Sequence, residues 1–223
     1  MFLLARTDTE APKHKGISFL LLDMQTSGIT VRPLVNMAGR HEFNEVFFED
    51  VRVPAKNLVG GENQGWYVAM TLLDFERSSV ASVAANRRAL QELCRSLATT
   101  ARDGGTAFDE PWIRNKLADL WVETEASRWL SYRVAGMQQR GMVPNYEASI
   151  VKVLATESSQ RIYNFGTKAL GLYGQLSGDS KYAQLDGRME LGYLSSVAPT
   201  IYSGSNEIQR NVIATRGLGL PRD

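Results

Sequence analysis

The chain has 223 residues, 43% of them hydrophobic, and a formal net charge of +1, which is the composition of an ordinary globular protein. Its basic residues are scattered, so no surface for nucleic acid or an anionic membrane is predicted. One cysteine and two histidines exclude a disulfide framework and argue against a metal site. No stretch has the apolar length of a membrane span or a signal peptide, so a cytoplasmic protein is expected.

Residues 1–60 have the pattern of β structure. Strands are predicted over residues 16–23, 29–34 and 45–54, with a turn at Thr26-Ser27-Gly28 between the first two. These few strands cannot close a barrel by themselves.

The character of the sequence changes after Gly60-Gly61, and the remainder is helical. Apolar periodicity and turn residues predict three long helices and two short ones, over residues 62–101, 109–141, 144–170, 186–201 and 205–216. Tight turns between successive helices indicate an antiparallel bundle. The predicted fold class is therefore α+β, mostly α, with a β segment at residues 1–60 followed by a helical bundle at residues 61–223.

One carboxylate stands out in the first predicted helix. At helical spacing, Ala69, Leu72, Glu76, Val80 and Val83 form one apolar stripe that Glu76 interrupts, and no cation lies three or four residues away. A carboxylate in an apolar environment has a raised pKa, which is typical of functional groups. Two interpretations stay open: a functional carboxylate, or one at the edge of the stripe that reaches solvent or pairs with an arginine of another helix.

Several strings, in order along the chain, carry a resemblance to a known family. They are Gly16-Ile17-Ser18-Phe19, residues 46–55, Gly65-Trp66, Glu76-Arg77 and the C-terminal string at residues 202–210. In this order and spacing the chain resembles the acyl-CoA dehydrogenase family of flavoproteins. The resemblance extends over nearly the whole chain.

The resemblance implies a domain organisation. The family has an N-terminal helical domain, a middle β domain, and a C-terminal helical bundle that also forms a tetramer. Residues 1–60 resemble the second half of the β domain, and residues 61–223 resemble the whole bundle. The N-terminal helical domain has no counterpart, so the expectation is either a truncated product or a sequence that starts at an internal methionine. The chain is expected to be part of a homo- or hetero-oligomer, either a dimer or a tetramer.

The resemblance also implies a reaction. A base takes a proton from the carbon next to an acyl-CoA thioester while a hydride leaves the neighbouring carbon for FAD. Many members carry a glutamate as the base between the last two helices, where this chain has Ser203. A branch that resembles isovaleryl-CoA dehydrogenase carries it on the first bundle helix, immediately before an arginine. That position is Glu76, followed by Arg77, so Glu76 is the predicted base.

Other roles follow from the C-terminal string. The backbone N–H of Ser203 is expected to donate to the thioester oxygen, as in an oxyanion hole, and this role needs no particular side chain. Gly204 and Ser205 are expected beside the flavin, and Tyr202 beside the substrate. Either Ser205 or Asn206 is also expected to cap the last helix.

Asp74 and Arg77 match family positions near the substrate. Asp74 corresponds to a contact with the pantetheine arm of CoA, although a surface ion pair with Arg77, three residues away, is an equal alternative. Acyl-CoA, FAD and a flavoprotein electron acceptor are therefore the expected partners, and fatty acid metabolism is the expected context.

The flavin contacts of the neighbouring subunit match least well. The resemblance places Arg102, Gly171 and Gly174 among them, yet the spacing around Arg102 is altered and Arg114 stands where a glutamine is usual. These departures favour an alternative of another class, a non-catalytic structural subunit of a hetero-oligomeric acyl-CoA dehydrogenase.

Overall fold

The computed structural model describes residues 1–76 and 79–221, with the side chains of all of them except residues 74–76. The chain forms two compact units, Met1–Glu76 and Arg77–Asp223. The first unit extends past the boundary expected after residue 60, because the first helix packs on a strand of that unit. Strands followed by a helical bundle confirm the predicted fold class.

Two small antiparallel sheets form most of the first unit. In one sheet the central strand, β2 (Ile17–Leu21), lies between β1 (Phe2–Arg6) and β5 (Leu58–Val59). The other sheet is a hairpin of β3 (Ile29–Val35) and β4 (His41–Phe48). The first two predicted strands thus correspond to β2 and β3.

The third predicted strand, at residues 45–54, is wrong in position. Its apolar run suggested a strand centred near residue 50, but pairing with β3 places Phe48 opposite Ile29 at the end of the ladder. Asp50 then takes a left-handed backbone with φ +49°, which stops the extended conformation. The bounds of β4 therefore depend on its pairing with β3, and the composition of one strand alone does not show that pairing.

Helix α1 (Gly65–Glu76) completes the first unit and carries Glu76 as its last residue. Its residue Ala69 is 4% exposed and Leu72 is half-buried. A Cβ on Gly65 would lie 2.3 Å from the carbonyl carbon of Ser18 in β2. The missing side chain therefore lets the start of α1 sit directly on the sheet.

The first long helix predicted from the sequence is interrupted. Helix α2 (Val80–Leu97) begins after Ser79, whose backbone is left-handed at φ +54°, so a single helix over residues 62–101 is wrong. Val80 and Val83 belong to α2 and do not continue the apolar stripe of α1. The apolar stripe beside Glu76 therefore extends only toward its N-terminal side, at Leu72 and Ala69.

Over its described residues, 79–221, the second unit is a bundle of three long helices and two short ones. Besides α2 it contains α3 (Pro111–Gln139), α4 (Tyr146–Ala169), α5 (Arg188–Ser195) and α6 (Asn206–Val212). A hairpin of two-residue strands, β6 (Ala101–Arg102) and β7 (Gly105–Thr106), joins α2 to α3.

The core lies between α2, α3 and α4 along their length. At one end Val83, Val134 and Val151 pack together, and at the other end Leu97 and Phe165 belong to the larger core cluster. The N-terminal half of α2 thus meets the C-terminal half of α3 and the N-terminal half of α4. Among these three long helices, neighbours in sequence therefore run antiparallel, as predicted.

Three general features of the described residues bear on function. No described helix has both the length and the apolar content to cross a bilayer. Within the same part of the chain, no group of three or more His, Cys, Asp and Glu side chains is arranged to hold a metal ion. Cys94 is half-buried against the core, and burial raises the pKa of its thiol, which disfavours the reactive thiolate.

Candidate active site

The chain turns sharply before α6, at Ser203 and Gly204. Both residues have left-handed backbone, with φ +55° and φ +82°. This conformation costs a serine about 1–2 kcal/mol, so surrounding contacts must hold it in place. We call residues 202–205 the α6 loop.

The α6 loop presents a free backbone donor. Tyr202, Ser203 and Gly204 are exposed, and among the residues that the structure describes no group accepts a hydrogen bond from the Ser203 N–H. The preceding side chains are apolar and open to solvent, with Ile201 65% and Tyr202 50% exposed. An N–H beside apolar surface is suited to bind a carbonyl oxygen, because covering that surface removes competing water.

Two contacts join the α6 loop to α6. The hydroxyl oxygen of Ser205 accepts from the Ile208 N–H at 3.4 Å and so caps the N-terminus of the helix. The side-chain amide of Gln209 donates to the Gly204 carbonyl oxygen at 3.5 Å. Ser205, predicted as a cofactor contact, thus has a structural role in the fold.

We expect Gly204→Ala to destabilise the chain by more than about 1 kcal/mol. The new Cβ would lie 2.4 Å from Nε2 of Gln209, and the residue would keep a φ of +82° that side chains rarely adopt. Ser203→Gly is the matched control and is expected to be neutral or stabilising, since glycine adopts the left-handed φ readily. Denaturant unfolding of both variants measures the difference, and an alanine variant as stable as the glycine variant would contradict the assigned geometry.

A buried polar contact lies between α4 and α6. Ser149, Lys152 and Thr156 stand three and four residues apart, on one face of α4. The Ser149 hydroxyl donates to Oε1 of Gln209 at 2.7 Å, and the Lys152 ammonium donates to Oδ1 of Asn206 at 2.8 Å. Thr156 accepts from Nδ2 of Asn206 at 3.1 Å. We call these five residues, all buried, the polar seam.

The polar seam contains a buried positive charge. Burial lowers the pKa of Lys152, and the nearby carboxylates Glu207 and Glu157 oppose that change. Hydrogen bonds from its own backbone N–H and from the Ser205 side chain hold the pKa of Glu207 below its usual range. Glu207 therefore stays charged at neutral pH and partly balances the lysine.

Arg102 lies near the opposite end of α4. Its Nη2 donates to the carbonyl oxygen of Ala169, the last residue of α4, at 3.0 Å, and its Nε lies 3.5 Å from Oε1 of Glu110. A cation at the C-terminus of a helix also interacts favourably with the helix dipole. An open cavity of about 500 Å³ lies beside Arg102, with Tyr173 and Gln184 among its lining residues.

The two predicted glycines follow α4 directly. Gly171 has a left-handed φ of +63° with open space where a Cβ would be, as is usual just after a helix end. A Cβ on Gly174 would lie 2.6 Å from the carbonyl oxygen of Thr167. Chain reversal and close packing on α4 therefore account for both glycines.

The structure thus separates the predicted site residues of the bundle into two groups. The α6 loop is held by the N-terminal half of α4, near Ser149, whereas Arg102 contacts Ala169 at its C-terminal end. Twenty residues of helix separate these positions, or about 30 Å along the axis. One chain therefore presents two distinct surfaces rather than one continuous pocket.

Three predicted site residues lie at the edge of what the structure describes. The backbone of α1 includes Asp74 and Glu76, while their side chains and the whole of Arg77 lie outside the described residues. Their predicted roles as base and substrate contacts stay predictions.

Comparison with known proteins identifies the family. Residues 63–218 match the family described as "Acyl-CoA dehydrogenase, C-terminal domain". The chain belongs to the acyl-CoA dehydrogenase family. It is 37% identical to acyl-CoA dehydrogenase IpdE1 of Mycobacterium tuberculosis, over 100% of this chain and 55% of that protein.

Two solved acyl-CoA dehydrogenase structures are similar over nearly the whole chain. One is the ChsE4-ChsE5 complex from Mycobacterium tuberculosis, with a TM-score of 0.90 and 32% identity over 100% of this chain and 57% of that one. The other is the Tcur3481-Tcur3483 steroid ACAD, with a TM-score of 0.89 and 32% identity over 99% and 56%. The chain spans a little over half the length of these relatives.

Members of this family are FAD flavoproteins, and the two surfaces, at the α6 loop and around Arg102, differ in their fit to a flavin. The α6 loop fits, because the exposed Ser203 N–H and the adjacent Gly204 leave backbone accessible to a planar ligand and its substrate. Arg102 is already bonded to the Ala169 carbonyl oxygen and paired with Glu110, while chain reversal at Gly171 and close packing at Gly174 account for the two glycines. These three residues therefore fit the flavin less well.

Sequence reasoning missed the polar seam. From the sequence, Asn206 is expected only as an alternative cap of the last helix. No role is predicted for Ser149, Lys152 or Thr156. A signal was present, because polar residues at spacings of three and four lie among the apolar residues of α4, such as Val151 and Ala155. What the sequence could not show is which element covers that face.

Proposed function

We propose that this chain is part of an acyl-CoA dehydrogenase, which introduces an α,β double bond into an acyl-CoA thioester with FAD as cofactor. Membership of the family supports the proposal at the level of the reaction class. The observation that carries it is the N–H of the exposed Ser203, which has no hydrogen-bond acceptor among the described residues and lies at a left-handed turn that buried contacts hold in place. When bound, the flavin would accept the hydride.

The proposed role of Ser203 is to stabilise developing negative charge. Removal of a proton next to a thioester shifts electron density onto the thioester oxygen. A fixed N–H donor lowers the energy of that charge without reorganising during the reaction. The serine hydroxyl has no part in this step, so the absence of a glutamate at position 203 does not exclude catalysis.

Glu76 is the proposed base. It ends α1, one turn after Leu72 and two turns after the buried Ala69, so the helix face leading to it is apolar. Apolar surroundings raise the pKa of a carboxylate and make it a stronger proton acceptor. The carboxylate would take the α-proton, and the same group would hold that proton until product leaves.

Substrate contacts are proposed at three positions. Asp74 and Arg77 are proposed to contact the CoA portion and Tyr202 to contact the acyl-thioester end, as the family resemblance implies. A flavoprotein electron acceptor, a cytoplasmic location and a role in fatty acid metabolism complete the proposal.

The proposed assembly is an oligomer that contains a second acyl-CoA dehydrogenase chain. One observation supports a hetero-oligomer over a homo-oligomer: the similar ChsE4-ChsE5 structure is a complex. The internal partners of Arg102 favour the second candidate function, a non-catalytic subunit that supplies the bundle.

Absorbance spectroscopy tests the proposed function directly. We expect the purified chain, in complex with its natural partner chains, to show a visible flavin band that acyl-CoA bleaches under anaerobic conditions. Straight-chain, branched and steroid-bearing acyl-CoA thioesters would be compared, with free CoA as the control. A colourless complex that takes up no added FAD would contradict the proposed function and favour the non-catalytic subunit.

A further inference from the structure

Stability alone gives no reason for the polar seam. Lys152 is 8% exposed and Asn206 is 3% exposed, so both were removed from water on folding. Burying a charge is costly, and an apolar pair of similar volume is often equally or more stable. Hydrogen bonds differ from apolar contacts in being directional, so they fix one orientation of α6 relative to α4.

We propose that Lys152 is a positioning residue, which acts through Asn206 to hold the α6 loop in the conformation that presents the Ser203 N–H. Asn206 is the first residue of α6 and directly follows the loop. The consequence for catalysis rests on the proposed function, whereas the consequence for the loop does not.

The connections from Lys152 to the loop are short. Its ammonium fixes Oδ1 of Asn206, which leaves Nδ2 to donate to Thr156 at 3.1 Å and to Glu157 at 3.2 Å. Both the oxygen and the nitrogen of the Asn206 side-chain amide are therefore hydrogen-bonded. One residue before it, Ser205 caps α6, and the two residues before that are Ser203 and Gly204.

A second path reaches the same loop from the same face of α4. Ser149 donates to Oε1 of Gln209, which orients the Gln209 amide so that Nε2 faces the Gly204 carbonyl. The loop is therefore tied to α4 in two ways, through Asn206 directly after it and through Gln209, whose amide reaches Gly204 in the left-handed turn. This explains how Ser203 keeps a φ of +55° in an exposed segment.

The charges around Lys152 are arranged to leave it bound to Asn206. The Glu157 carboxylate accepts a hydrogen bond from Arg210 at 2.5 Å and lies 3.7 Å from the Arg161 guanidinium, so it is already paired with two arginines. Glu207, exposed in the first turn of α6, interacts with Lys152 through space. The neutral Asn206 oxygen is then the direct acceptor of the ammonium, at 2.8 Å.

Hydrogen exchange on the full-length chain tests the inference without a cofactor. Lys152→Met keeps a similar length and removes the donor, and we expect amides in residues 198–212 to exchange about tenfold faster. Amides of α2 at residues 86–97, in the core, should be unchanged. The matched control is Lys168→Met, the same substitution at an exposed position of α4, which should leave residues 198–212 unaffected.

A milder variant covers the case in which Lys152→Met fails to fold. Ser149→Ala removes one hydroxyl, and we expect exchange in residues 198–212 to rise severalfold, by about 2–10-fold. Wild-type exchange in every folded variant would overturn the inference. Faster exchange across the whole bundle would also overturn it, because the lysine would then support the fold in general rather than the loop.

A kinetic measurement on the flavin-loaded enzyme addresses positioning for catalysis. We expect Lys152→Met to lower kcat about tenfold while KM for acyl-CoA changes by less than about twofold, because the donor acts mainly in the transition state. Failure of the proposed function would appear differently, as wild-type protein whose flavin acyl-CoA does not reduce. A mobile loop with unchanged kcat would overturn the catalytic consequence.

Discussion

Glu76→Gln is expected to lower the rate of flavin reduction by acyl-CoA about 10²–10⁴-fold, the usual contribution of a positioned general base. The amide has nearly the shape of the carboxylate but cannot accept the α-proton at neutral pH. Bound FAD should be retained, because the substitution changes none of the residues proposed to contact the flavin. Anaerobic stopped-flow absorbance of the flavin band measures both quantities in one experiment.

Two further variants sharpen this test. Glu62→Gln makes the same chemical change at an exposed residue shortly before α1 and is expected to leave the rate unchanged. Glu76→Asp keeps the carboxylate but withdraws it by one methylene, so an intermediate rate is expected for a base. Full reduction rates in Glu76→Gln would remove Glu76 from the mechanism and leave the non-catalytic subunit as the better proposal.

Gly65→Ala is expected to destabilise the first unit by about 1–3 kcal/mol or more, the cost of forcing extra volume into a packed position. The added Cβ would lie 2.3 Å from the Ser18 carbonyl carbon and 2.4 Å from the Phe19 nitrogen. Both are backbone atoms of β2, which is paired with β1 and β5 and cannot move aside. Helix α1 must shift instead, and its last residue, Glu76, shifts with it.

The fluorescence of Trp66 should report this change during denaturant unfolding, because its ring packs edge-on against His14 at 4.2 Å. Gly61→Ala is the matched control in the same unit, since its Cβ would meet only the flexible side chain of Gln64, at 3.3 Å. It is expected to change stability by less than about 0.5 kcal/mol. Equal stability of the two variants would show that α1 does not need its close contact with β2.

The two substitutions together separate chemistry from placement. Glu76→Gln should abolish proton transfer in a chain of normal stability, whereas Gly65→Ala should lose activity together with stability. If Gly65→Ala kept full activity despite a lower stability, the position of α1 on the sheet would not matter for the proposed base.

Local patterns identified much of the fold correctly. Apolar periodicity predicted α3 and α4, because a long amphipathic pattern with breakers at both ends has few other solutions. The interruption at Ser79 was not predictable in the same way, since serine is compatible with a helix and no glycine or proline marks the position. The strand β4 was misplaced because its bounds depend on pairing with β3.

The candidate site shows the same difference between what local patterns predict and what depends on tertiary contacts. Ordered strings such as Glu76-Arg77 and residues 202–210 were enough to assign the family and, through it, to predict Ser203 as a backbone donor. The contacts that hold this donor became visible only in the folded chain, because the buried hydrogen bond of Lys152 joins residues 54 positions apart. The folded chain also shows that the Arg102 guanidinium donates to the last carbonyl of α4, at Ala169. Sequence patterns record which face of an element is buried, whereas the partner that covers it is fixed only when the chain folds.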